Sequence, residues 1–133
     1  SGFFPEQAVL ADPGAATSIK GLISIEMPCP ELPPAQIATL AKIPTPVMFG
    51  DHLDMQGGGP ANWSASFESC QKFVQQMKDQ GGDAEMMHLP KLGIKGNSHM
   101  LMQDRNNLQL ADLILTWIDG HVESKKGAAK AGR

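Results

Sequence analysis

Gly96-Asn97-Ser98-His99-Met100 stands between a short apolar run, Ala84 to Leu89, and a long stretch of helical periodicity, and what its histidine faces decides how the chain is read. A Gly-Asn-Ser run turns sharply at little steric cost, and a histidine on a turn held by rigid flanking elements can be aimed at a reacting group. His99 is therefore a candidate general base. Taken alone, the run is better read as a surface loop with an incidental histidine. The order of elements around it changes that reading.

Working back from the loop, Ala84 to Leu89 reads as a strand, and Trp63 to Gln80 as a helix with Phe67, Cys70, Phe73, Val74 and Met77 on one face, ended by Gly81-Gly82. Before it, Pro44 to Gly50 is a strand that ends at Asp51-His52-Leu53-Asp54, and Pro33-Pro34 opens a short helix through Ile37 and Leu40. Gly21 to Ile25 is a further strand that delivers Glu26 at its end, because Met27-Pro28-Cys29-Pro30 forbids extension. A first helix over 3–11 carries Phe4, Ala8 and Ala11 at helical spacing and stops at Asp12-Pro13-Gly14. Beyond the loop, Leu108, Ala111, Leu115 and Ile118 form the expected buried stripe of a last helix, and residues 123–133, rich in Lys, Ala and Gly, are expected to be a disordered tail. Gly57-Gly58-Gly59-Pro60 is read as a flexible loop without a ligand. Helices alternating with short apolar strands imply an α/β fold, a parallel sheet with helices on both faces and ligands at the C-terminal strand ends. Glu26, Asp51, Asp54 and the loop with His99 all fall at such ends.

Composition narrows the function classes. The chain has 133 residues and a net charge of -3, which leaves no basic footprint for nucleic acid, and no apolar run reaches the length of a membrane span, so a soluble protein is expected. Cys29 and Cys70 are the only cysteines, too few for a disulfide framework or a four-thiolate zinc site. Two free buried thiols are the favoured reading, and a bridge pinning the loop after Glu26 is the alternative. No metal or other cofactor is expected. Neither an initiator Met nor a signal peptide is seen, and Ser1-Gly2-Phe3-Phe4-Pro5 reads as the interior of something longer. Secretion and a periplasmic location are both left open.

The run Gly96 to Met100, with Met102-Gln103-Asp104-Arg105-Asn106-Asn107-Leu108-Gln109 and Ala111-Asp112-Leu113-Ile114-Leu115 after it, resembles the C-terminal end of bacterial esterases of the α/β-hydrolase superfamily, the Alcaligenes esterase 713 type. The resemblance extends back through Phe49-Gly50-Asp51-His52 and Ile23-Ser24-Ile25-Glu26 to Ser1-Gly2. It implies that residues 1–122 are the C-terminal half of one α/β-hydrolase domain. Ser1-Gly2 would close a His-Ser-Gln-Ser-Gly turn whose nucleophilic Ser lies two residues upstream of Ser1, outside this chain. It implies His99 as base and Glu26 as acid, with Asp51 and Asp54 as alternative acids because many relatives place the acid after the following strand. The Gly57 to Pro60 insertion and Met27-Pro28 depart from the pattern and bear on pocket shape. The implied function is a serine-type carboxylic ester hydrolase with a small-molecule ester substrate. Its partner is the N-terminal half of the same hydrolase, as a partner chain or missing segment.

Rival readings are an enzyme of this fold acting on a lactone, an amide or a carbon to carbon bond, a non-catalytic half-domain that binds a partner, and Ser1 itself as an N-terminal nucleophile. Met100 and Met102, beside His99, are candidates for an acyl pocket, whereas Met86 and Met87 read as core filler. His52 reads as a hydrogen-bonded loop residue, and His88 and His121 as structural or solvated.

Overall fold

A computed structural model describes the backbone of residues 4–54 and 62–131, and their side chains as far as residue 122 apart from Ala15. The Ser1-Gly2 turn and the Gly57 to Pro60 loop lie outside the described residues. The elements are α1 (Phe4–Ala11), β1 (Ser24–Ile25), α2 (Pro34–Leu40), β2 (Thr45–Phe49), α3 (Trp63–Asp79), β3 (Ala84–His88) and α4 (Asn107–Ala131). Short 3-10 turns at Pro13–Thr17, Leu89–Leu92 and Leu101–Gln103 join them.

The three strands form one parallel sheet in the order β1-β2-β3, with Ile25 opposite Met48 and Phe49 opposite His88. Parallel strands need helical crossovers, which cover both faces, and β2 is accordingly buried along its whole length. The pleat sends alternate residues to opposite sides. Val47 and Phe49 join Val9, Ile37, Leu40, Phe73 and Met77 from α1, α2 and α3, while Met48 joins Met87, Leu101, Leu110 and Trp117 on the α4 side. Each fully buried side chain of this size contributes roughly 1.5–3 kcal/mol, so β2 is the spine on which both layers depend. The run read as a strand from Gly21 is ladder-paired only at Ser24–Ile25. Its parallel course is longer, since the amides of Leu22 and Glu26 donate to the carbonyls of Pro44 and Met48, each at 2.9 Å.

The turn after α3 is close-packed. A Cβ on Gly82 would lie 2.8 Å from the Met77 carbonyl oxygen and 2.9 Å from Ala41, so α3 can return to β3 past the end of α2 only through glycine.

Three expectations are corrected. In α4, Leu108 and Leu115 are 77% and 56% exposed and Ala111 faces outward, whereas Leu110 and Trp117 are buried, with Leu113, Ile114 and Ile118 packed beside them. Apolar residues surround this helix, so periodicity offered two stripes. The Trp117 indole N–H donating to Glu85 at 2.7 Å fixes the one turned to the sheet. In α1, Val9 and Glu6 are buried and Phe4 is 69% exposed. The backbone of α4 is helical as far as Ala131, through a stretch rich in alanine and lysine, which are good helix formers. Cys29 and Cys70 are not free thiols but a disulfide, since the turn after β1 brings the two Cα atoms to 4.8 Å.

Candidate active site

The strand ends place the polar residues. Glu26 follows β1 with φ of 49°, in the left-handed region that residues carrying a Cβ rarely adopt, and is 4% exposed. One carboxylate oxygen, Oε1, accepts the amide of Gly50, and the other lies 3.3 Å from Nδ1 of His99. Gly50 follows β2, and a Cβ there would sit 3.1 Å from the Glu26 carboxylate, 3.1 Å from Leu101 and 3.2 Å from Asn97. The absence of a side chain at this position lets strand end, carboxylate and histidine loop converge.

The histidine loop is held by a polar network. Asp51 accepts the amides of Gly96 at 2.9 Å and Asn97 at 3.3 Å. Asp104 accepts the Ser98 amide at 2.9 Å, the Ser98 hydroxyl at 2.6 Å and the Asn97 side-chain amide at 3.0 Å. Asn97 is fully buried and also donates to Asn106 at 2.7 Å. A buried amide that is satisfied on all sides fixes a loop more firmly than an apolar residue would.

Against this frame His99 remains accessible, its side chain 44% exposed. The indole of Trp63, at the start of α3, lies over its ring with centroids 3.6 Å apart at 40°. Glu26, Asp51, His52, Trp63, Ser98, His99 and Met100 line a cleft of about 270 Å³.

Burial pushes the Glu26 carboxyl above its ordinary value, opposed by the Gly50 amide and by His99. The Ser98 hydroxyl bond first, and then the Asn97 and Ser98 amides, hold Asp104 below its ordinary value despite some desolvation. Burial, reinforced by Lys91, pushes His88 down, and its Nδ1 is buried without a hydrogen-bond partner. Among the described residues no three His, Cys, Asp or Glu side chains gather where they could hold a metal ion.

An ionised carboxylate can only accept, so as a hydrogen bond the 3.3 Å contact has Nδ1–H as its donor, and in the imidazole tautomer that this selects Nε2 carries the lone pair. Such a pair can take a proton from a hydroxyl and hand it on. Ser98 is no candidate for that hydroxyl, because it donates its proton to Asp104.

The carboxylate beside His99 is Glu26. Asp51 is spent on the loop backbone, and Asp54 is exposed. Met100 lines the cleft, whereas Met102 is 67% exposed and does not. Trp63, Asp104 and Asn97 were not singled out from sequence. The polar spacing from Asn97 and Ser98 to Asp104 and Asn106 was a usable signal, but nothing local marked Trp63.

No protein-family model matches this chain. A solved structure described as that of a novel bacterial esterase superposes with a TM-score of 0.79 at 41% identity, over 92% of this chain and 36% of that one. A probable secreted lipase, phiG, from a fungal species is 36% identical over 86 residues, which are 65% of this chain and 21% of the lipase. The chain thus spans well under half the length of each.

Proposed function

We infer that this chain, which has the fold of part of an α/β-hydrolase and resembles bacterial esterases of that superfamily, supplies the base and the acid of a Ser-His-Glu triad for carboxylic ester hydrolysis. The observation that carries the reading is the approach of Glu26 Oε2 to His99 Nδ1 at 3.3 Å, with Nε2 left for the substrate side. Nε2 takes the proton of a serine hydroxyl as it attacks the ester carbonyl, and the resulting imidazolium, held by Glu26, returns that proton to the departing alcohol. Water repeats the sequence on the acyl-enzyme, releasing the acid and the free serine. The serine belongs to a segment upstream of Ser1, as does the N-terminal half of the fold. In support, β1 pairs only with β2 among the described residues, and Ile23 beside it is 42% exposed. The disulfide and the secreted lipase relative support an oxidising, extracytoplasmic compartment. No helix among the described residues is long and apolar enough to cross a membrane.

The test is hydrolysis of a simple aryl ester and labelling by a serine-directed phosphonate, in protein that includes the upstream segment. His99→Gln and Glu26→Gln should fold normally and lose activity by roughly 10³-fold or more. A His99→Gln protein retaining more than about a tenth of wild-type turnover would sink the reading.

A further inference from the structure

The base of such a triad must hold one ring plane, and the hydrogen bonding of His99 does not achieve that alone. Its single described side-chain bond, to Glu26, is 3.3 Å long, and the ring is 44% exposed on a loop. One long bond leaves the imidazole free to swing about it. The second constraint is the Trp63 indole, with centroids 3.6 Å away. Trp63 is itself well anchored. It is the first residue of α3, whose N-terminus is capped by the Asn62 side chain accepting the Ala65 amide at 3.0 Å. Further along the same helix, Cys70 is joined by the disulfide to Cys29, in the turn that follows Glu26. One helix is therefore tied by a covalent bond to the segment that follows the acid, and meets the base with a ring face.

Resting on the reading of His99 as the general base, we propose that Trp63 is a positioning residue, whose indole face fixes the imidazole plane in which Nδ1 meets Glu26 and Nε2 faces the cleft. The other indole–imidazole pair behaves differently and serves as an internal control. Trp117 and His121 stack at 3.9 Å and 9° within α4, where the His121 ring nitrogen Nδ1 lies 2.7 Å from the Trp117 carbonyl, so their contact is made within one helix and outside the lining of the cleft.

The experiment uses Trp63→Leu, Trp63→Phe and His99→Gln in protein that includes the upstream segment, assayed on an aryl ester and followed by proton-carbon NMR of labelled histidine at fixed pH. Trp63→Leu should lower kcat roughly 10- to 100-fold, as expected for a misplaced catalytic group, with KM within about twofold of wild type. Trp63→Phe, which keeps an aromatic face, should restore most of kcat. The His99 ring-proton signals should lie upfield in wild type and move downfield in Trp63→Leu, while those of His121 stay in place and report an intact fold. Should Trp63→Leu fail to fold, the Phe variant and the wild-type ring-current shift carry the test. An unchanged kcat in Trp63→Leu beside an inactive His99→Gln would overturn the positioning role and leave the base assignment standing. A rise in KM alone would overturn it too, making Trp63 a wall of the substrate cleft. An active His99→Gln would remove the base assignment itself, and with it any catalytic role for the contact.

Discussion

Gly50 decides how closely Glu26 and the histidine loop approach. Because an added Cβ would crowd the carboxylate, Leu101 and Asn97 together, Gly50→Ala should destabilise the protein by about 1–3 kcal/mol. It should also lower ester turnover, which denaturation midpoints and kcat will separate. The two carboxylates of the site respond to pH in opposite senses. The folded-state value of Glu26 is raised above its ordinary 4.5, so the folded protein holds that proton more tightly than the unfolded chain. Its contribution to stability is complete below about pH 4.5 and is lost as pH rises through the folded value. On the reading proposed above, the ionised form is the one that supports His99, so activity should rise where this stability term falls. Glu26→Gln should flatten the slope. Asp104 is depressed below 3.8, so its contribution is present above that value and disappears as pH falls through the folded one. Asp104→Ala should remove this acid-range loss and lower turnover roughly tenfold by freeing the loop, as melts at two pH values and kinetics will show. That Glu26 and His99 meet was legible in part, because residues at the C-terminal strand ends of a parallel sheet gather along one rim. Trp63 was not, since a ring contact between distant segments leaves no local period.

Among the elements, α3 was read correctly from its single apolar face, and α4 was not. A helix with apolar residues on several sides is oriented by its partner, here the Trp117 bond to Glu85, and no pattern within the helix reveals that choice. The difference can be measured. In protein that includes the upstream segment, Leu110→Ala should cost about 2–5 kcal/mol in urea unfolding, and Leu115→Gln clearly less. The bridge between the β1 turn and α3 spans 41 residues of sequence, and replacing both cysteines by serine should cost about 2–4 kcal/mol. Two cysteines alone could not announce that bond, because pairing depends on the distance that folding creates.

For the whole molecule, alternation of helix and strand was enough to give a parallel sheet with both faces covered. Among the described residues β1 pairs on one side only, with β2. On the reading proposed above, residues 1–133 expressed alone should be inactive and should self-associate, while protein that includes the upstream segment should be a stable, active species. Size-exclusion chromatography with an aryl ester assay checks this, and a cooperative, non-associating 133-residue chain would refute it.

The use of Asp51 as a staple for the histidine loop has an evolutionary consequence. Both of its oxygens are occupied by the amides of Gly96 and Asn97, so it is no spare acid waiting beside the pair. Transferring the acid from the end of β1 to the end of β2 would therefore demand two substitutions together, one to replace Glu26 and one to hold the loop by other means. On the reading proposed above, the place of the acid is thus fixed by two linked constraints, the carboxylate beside His99 and the staple beneath its loop.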